Sequence, residues 1–196
     1  MRVAGLLLAA GAGRRMGGPK ALLRHDDGVP FLGRGLRVLL DGGCDRVTVV
    51  LGASADAARA LLDSSGWAGH PSVAVTVAQE WEEGMGASLR AGLGAVSGSD
   101  ADAVLVTLVD LPDVGADVLR RVAGTGSGPG ALVRATYDGR PGHPVLIGRD
   151  HWAGVASTAR GDQGAREYFR TNPPTPCECG DLATGRDVDR PEDLTR

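Results

Sequence analysis

The sequence predicts an α/β fold, with helices on both faces of a mainly parallel central sheet. Three observations predict it. Apolar runs at Val3–Ala9, Arg46–Leu51, Val73–Ala78 and Ala103–Val109 are nearly continuous. Parallel strands covered on both faces read this way. Segments with helical apolar spacing separate the runs, and such alternation is the pattern of a three-layer α/β/α architecture. Finally, the first run opens directly into a small-residue loop, Gly11-Ala12-Gly13.

Taken in order, Val3–Ala9 is a buried first strand. Met1-Arg2, the apolar run and Ala10-Gly11-Ala12 mimic the three parts of a signal peptide. The run is short for that purpose and carries Gly5. Ala21–Leu23 reads as a short extended piece, and Asp26-Asp27-Gly28 as a turn. Pro30 leads into a helix from Phe31 to Asp41, with Leu32, Leu36, Leu39 and Leu40 on one face and Gly42-Gly43 at its end. A β-branched strand covers Arg46–Leu51, and Ser54 is placed to cap a helix over Ala55–Leu62. Val73–Ala78 is the third strand. Gly84 and Gly86 break the chain before a helix expected from Ser88 to Val96. Ala103–Val109 is the most continuous strand and ends at Asp110-Leu111-Pro112. Asp113 is placed to cap a helix from about Gly115 to Val122. Gly124–Gly130 is a flexible loop. Ala131–Thr136 and His143–Ile147 form a hairpin, followed by a helix over Asp150–Ala156. Asp162 is a candidate helix cap, Pro173–Pro176 a stiff connector, and Glu178–Leu182 an edge strand.

At 196 residues the chain fits one domain spanning 1–196, long enough for a full core. Thirty-one glycines suit a loop-rich enzyme better than a helical bundle. A net charge of −3 argues against nucleic acid as a partner, so the cations near the N-terminus are a local feature. No run is long enough for a membrane span. Cys44, Cys177 and Cys179 are too few for a disulfide scaffold, which points to a reducing cytoplasm. Cys177-Glu178-Cys179 lacks the second pair that a zinc site needs.

The chemistry concentrates in the stretch after the first strand. Arg14, Arg15 and Lys20 are interleaved with Gly13, Gly17 and Gly18. Glycines let backbone N–H groups approach a ligand, and the cations suit several phosphate oxygens at once. A dinucleotide fingerprint would need glycine where Met16 stands and an acidic residue after the second strand. A Walker loop would need Ser or Thr after Lys20, where Ala21 stands. Farther along, Gly84 and Ser88 lie at a strand–helix junction where backbone donors could hold a base or phosphate. A carboxylate at the tip of a buried strand needs a cation or donors, which makes Asp110 a candidate metal ligand. Lys20 itself reads as an exposed loop cation.

Leu8-Ala9-Ala10-Gly11, Arg15-Met16-Gly17 and Lys20 together resemble the L-x-x-G-x-x-x-R-M-G-x-x-K signature of the sugar-nucleotide and cofactor nucleotidyltransferases. Among these, the chain is most similar to the molybdenum cofactor nucleotidyltransferases. Five later segments agree in order: Gly84-Met85-Gly86-Ala87-Ser88-Leu89, Asp110-Leu111-Pro112, Gly142-His143-Pro144-Val145-Leu146, Gly161-Asp162-Gln163-Gly164-Ala165-Arg166, and Asp187-Val188-Asp189-Arg190-Pro191-Glu192-Asp193-Leu194. Arg190 departs from the threonine usual in the last of these.

The resemblance implies a Rossmann-like, nucleotide-diphospho-sugar transferase fold. It implies transfer of an NMP from NTP to a phosphorylated acceptor, with release of pyrophosphate. Leu8, Ala9, Ala10, Gly11, Gly13, Arg14, Gly17, Lys20, Gly84 and Ser88 would bind the nucleotide. Arg15, Lys20 and Asp110 would be catalytic. Mg²⁺ would sit on Asp110 and on Asp189, with Asp187 as the alternative second ligand. His143, Asp162 and Arg166 would face the acceptor, expected to be molybdopterin, and a molybdoenzyme or its maturation factor would be a transient partner. Guanylyl-transferring members tend to carry Asp before the lysine. Pro19 stands there in this chain, and its Ala-Ala-Gly opening is more similar to the cytidylyl-transferring members, so CTP is expected over GTP. An NAD(P)H-dependent reductase and a non-catalytic nucleotide-binding module remain the competing classes.

Overall fold

The computed structural model describes residues 1–25 and 27–188. Seven strands form one sheet in the order β3-β2-β1-β4-β6-β5-β7. They are β1 (Val3–Ala9), β2 (Arg46–Leu51), β3 (Val73–Val77), β4 (Ala103–Leu108), β5 (Leu132–Tyr137), β6 (Arg140–Gly148) and β7 (Thr175–Glu178). β1 runs parallel to β2 and β4, and β2 parallel to β3. β6 is antiparallel to both neighbours, and β7 parallel to β5. The mainly parallel sheet expected from the sequence is therefore observed, with β6 as the reversed strand.

The period of two along each strand sorts the apolar side chains into two cores. From β1, Val3, Leu7 and Ala9 join one core, while Ala4, Leu6 and Leu8 join the other. β4 divides the same way, Ala103 and Leu105 against Val104 and Val106. The first core is covered by α1 (Phe31–Asp41), α2 (Ala55–Ser64) and α4 (Ala116–Thr125). The second is covered by α3 (Met85–Val96), α5 (Arg149–Thr158) and α6 (Arg166–Thr171). Gly5 lets α1 settle on the sheet: a Cβ there would stand 3.0 Å from Val47 and 3.1 Å from Leu39.

Local chemistry moved several boundaries. Ala21–Leu23 is not extended; Lys20–Leu22 closes a 3-10 turn on Pro19, with Leu22 N–H donating to the Pro19 carbonyl at 3.0 Å. Helix α3 begins at Met85 rather than Ser88, because Gly84 takes φ 118° and turns the chain three residues earlier. Ser54 precedes α2 but makes no side-chain cap, and neither Asp113 nor Asp162 caps a helix. The Asp113 carboxylate instead accepts bonds from Thr184 N–H and Oγ1, both at 2.6 Å. The edge strand expected over Glu178–Leu182 instead occupies Thr175–Glu178, sharing only Glu178 with that span, and it takes in Pro176 from the expected connector. An edge position tolerates a residue without an N–H. Gly28 N–H closes the expected turn on the His25 carbonyl at 2.8 Å, while Asp26 lies outside the described residues.

Buried Cys44 and Cys177 and fully buried Cys179 are free thiols. Burial pushes Cys44 up to about 12 and Cys179 up to about 11, so neither is a thiolate at neutral pH. Among the described residues no helix is long and apolar enough to cross a membrane.

Candidate active site

Connections leave β1 toward β2 on one side, and β4 packs on its other side. The strand order therefore reverses between β1 and β4, whose carboxyl ends are level, with Leu8 opposite Leu108. Open α/β sheets bind ligands in the crevice outside such a reversal. A cavity of about 450 Å³ lies there. Leu8, Ala9, Ala10, Gly11, Gly13, Arg14, Arg15 and Lys20 line it from the first loop, Gly84 and Ser88 from the start of α3, Asp110 from the end of β4, and Asp162 from the loop before α6. Met85, part of the Gly84–Leu89 segment, also lines it, as do Trp81 and Glu82, which the sequence does not mark out.

The first loop is shaped by its own backbone. Gly13 sits at φ 58°, and a Cβ there would strike the Gly18 carbonyl. That carbonyl position is fixed because Met16 and Gly18 N–H both donate to the Gly13 carbonyl, at 2.8 and 3.2 Å. Met16 turns inward and is buried, which leaves Arg14 and Arg15 exposed on the loop. Gly17, at φ 80°, closes the 3-10 turn and does not line the cavity. Nothing lies within 4 Å of a Cβ placed on Gly11, so its backbone is open to a ligand.

Lys20 is not the exposed cation the sequence suggested. Its Nζ lies 2.6 Å from Asp110 Oδ2, and the two side chains are only 17% and 13% exposed. Pro19 and the 3-10 turn aim the lysine across the cavity floor instead of into solvent. Burial raises the proton affinity of Asp110; Lys20 opposes that rise, and nearby Asp187 adds to it. The other carboxylate oxygen, Oδ1, is buried and has no hydrogen-bond partner among the described residues. An orphaned anionic oxygen beside a second carboxylate fits a hard cation such as Mg²⁺. The C-terminal segment brings Asp187 there: Thr184 is held by Asp113, and Val188 N–H donates to the Asp110 carbonyl at 2.9 Å. No strand forms over 183–188, so Asp187 arrives on an irregular segment. Asp189 lies outside the described residues. No group of three or more candidate metal ligands occurs among the described residues.

A smaller cavity of about 80 Å³ adjoins the first, sharing Leu8, Met85 and Asp162 with it. His143, Asp162 and Arg166, the candidate acceptor residues, all line it, together with Arg134 from β5. Burial, with Arg134 and Arg166 close by, pushes His143 down to about 4, so its imidazole is neutral at pH 7 and a weak base. Arg134 escaped the sequence reading, although a lone cation inside the apolar Ala131–Thr136 segment was the available signal. Arg90 ties α3 to the turn before it and to the end of α5, bonding Glu80 at 3.0 Å, Glu83 at 2.5 Å and the Ala159 carbonyl at 2.7 Å. Its guanidinium holds the Glu83 carboxyl down at about 2.

Residues 5–176 match the MobA-like NTP transferase domain. The chain belongs to the MobA-like molybdenum cofactor nucleotidyltransferase family. It is 33% identical to the molybdenum cofactor guanylyltransferase of Rhodobacter capsulatus, over 78% of this chain and 66% of that one. It is 38% identical to a protein named nicotine blue oxidoreductase from Paenarthrobacter nicotinovorans, over 99% of this chain and 95% of the other. Rv0371c of Mycobacterium tuberculosis H37Rv shares the fold with a TM-score of 0.81 and 28% identity, over 100% of this chain and 96% of that one. A manganese complex of Rv0371c matches with a TM-score of 0.72 and 26% identity, over 96% and 94% of the two chains. As a member of this family, the protein is a nucleotidyltransferase.

Proposed function

We propose that the protein transfers CMP from CTP to the phosphate of a molybdopterin acceptor and releases pyrophosphate. The observation that carries this reading is the Lys20–Asp110 pair at the cavity floor, with Asp110 Oδ1 left without a partner among the described residues. Lys20 exchanges Asp110 for the incoming triphosphate, so the two anions are neutralised in turn by one cation. Arg15 adds charge from the loop, and the open backbone at Gly11 contacts phosphate oxygens. Gly84 and Ser88 border the base, with Trp81 and Glu82 beside them.

An oxygen of the acceptor phosphate attacks the α-phosphorus in line. The new O–P bond forms as the bond to the β-phosphate oxygen breaks, and pyrophosphate carries away that electron pair. Reactions of this kind depend on positioning and charge neutralisation more than on covalent catalysis. Asp110, with Asp187 or Asp189, would hold Mg²⁺, which when bound supplies positive charge at the reacting phosphates. His143 stays neutral and lines the acceptor side; it moves no proton in this scheme.

The preference for CTP rests on Pro19 before Lys20 and on Ala9-Ala10-Gly11. Thermal shifts with CTP and GTP in the presence of Mg²⁺ test it: stronger stabilisation by CTP is expected, and stronger stabilisation by GTP moves the protein to guanylyl transfer. The relative named for oxidoreductase activity favours one second reading, reduction of a substrate by NAD(P)H. Loss of NAD(P)H absorbance without pyrophosphate release would establish that reading instead.

A further inference from the structure

The small cavity beside the active site holds an arginine, Arg134, that forms no ion pair among the described residues. Arg134 projects from β5 toward the layer of α3 and α5, on the face opposite Val133 and Ala135. Its walls are largely apolar, Met85, Leu89, Val145 and Phe169 among them. Its Nε donates to the Gly142 carbonyl at 3.0 Å, which fixes the guanidinium plane. Among the described residues its terminal nitrogens bond to nothing and no carboxylate pairs with it. Burial disfavours its charge, and Arg166 adds to that from close by. Asp162, the carboxylate lining this cavity, forms no ion pair with either arginine among the described residues.

A half-buried cation costs free energy unless a counter-charge arrives. Two guanidiniums and a neutral imidazole around about 80 Å³ leave room for one compact tetrahedral anion. The planar fork of arginine matches two oxygens of such an anion. We propose that Arg134, together with Arg166, is the seat of a single phosphoryl group, the one that the acceptor presents to the nucleotide. The Gly142 bond makes Arg134 the fixed half of this seat, and exposed Arg166 the half that closes on it. The source of the phosphoryl group rests on the nucleotidyltransferase reading; the seat itself does not.

Inorganic phosphate is the probe, titrated calorimetrically into the full chain at constant ionic strength without nucleotide. Arg134→Gln should weaken phosphate binding by about tenfold or more, the effect of losing a charge-assisted bond, while CTP affinity stays within about twofold. Lys20→Met should do the reverse. Unchanged phosphate affinity in Arg134→Gln overturns the proposal. So does an equal loss in Lys20→Met, which would put phosphate in the nucleotide loop, or the lack of phosphate binding by the parent at millimolar concentration. If Arg134→Gln does not fold, Arg166→Gln on the exposed start of α6 gives the reading: a similar loss supports the seat, and none overturns it. Turnover enters none of these measurements, so their failure leaves nucleotidyl transfer standing, and failure of transfer leaves them interpretable.

Discussion

Removing Lys20 and removing Asp110 should have unequal consequences for stability, although both abolish the same 2.6 Å bond. Lys20→Met keeps the length of the side chain and strands the Asp110 carboxylate. Breaking a fully buried ion pair costs about 3–5 kcal/mol. These side chains keep 17% and 13% of their exposure, so about 2–3 kcal/mol is the reasonable scale. For a chain of this size that is a drop of about 5–10 °C in melting temperature. The loss depends on pH. Asp110 already holds its proton more tightly than the ordinary carboxylate value of 3.8, chiefly through burial, and Lys20 is the main influence pulling it back. Without Lys20 the folded-state value rises further. A carboxyl that binds its proton more tightly folded than unfolded makes stability fall as pH rises between the two values. The penalty is therefore complete above the raised folded value and absent below the unfolded one. Asp110→Asn removes the buried charge and keeps the shape, so it stays within about 1 kcal/mol of the parent and shows no such pH step. The double variant should melt with Asp110→Asn. The assay is thermal unfolding from pH 4 to 8 without metal or nucleotide. If Lys20→Met melts with the parent at pH 8, or loses the same amount at pH 4 and pH 8, the buried pair is refuted.

Three further outcomes follow from other parts of the molecule. Gly13→Ala forces a side chain into the left-handed region and against the Gly18 carbonyl; CTP affinity should fall at least tenfold by about 1.4 kcal/mol or more, and unchanged affinity in a titration would separate the loop from binding. Glu178 accepts bonds from Thr136 Oγ1 and from Asp138, Gly139 and Gly180 N–H, which hold its carboxyl at about 2 against an ordinary 4.5. Its contribution is present above the ordinary value and lost as pH falls toward the folded one, so Glu178→Gln should flatten the acid limb of a stability–pH curve; an unchanged limb contradicts this. His143, held at about 4, should contribute no inflection to the pH–rate profile between pH 5 and 8, and an inflection near 6.5 that disappears in His143→Asn would show the imidazole titrating during turnover.

The strands and their layers were legible because burial on both faces writes itself into the sequence as uninterrupted Val, Leu and Ala. Helix α1 was read with the observed limits, Phe31 to Asp41, because Pro30 and Gly42 punctuate it. What escaped notice was set by contacts between distant segments. Lys20 reads as a surface cation until the 3-10 turn points it at Asp110, ninety residues away. Asp113 looked like a helix cap, and only the arrival of Thr184 shows why it is not one. Ser88 reads as a helix start, yet Gly84 starts the turn and leaves Ser88 buried within α3. Arg134 carried a signal, its charge within a strand, but its meaning depends on Arg166 and His143 lying across the same cavity.

The central claim, nucleotidyl transfer at the β1–β4 crevice, is tested most directly with CTP labelled at the α-phosphate. The protein, Mg²⁺ and molybdopterin are incubated together, and labelled acceptor and pyrophosphate are measured in the same samples, with Asp110→Asn alongside. Label should pass to the acceptor with one pyrophosphate released per transfer, and the variant should fall by orders of magnitude. Full transfer by Asp110→Asn, or no transfer from any NTP while NAD(P)H is consumed, would contradict the account.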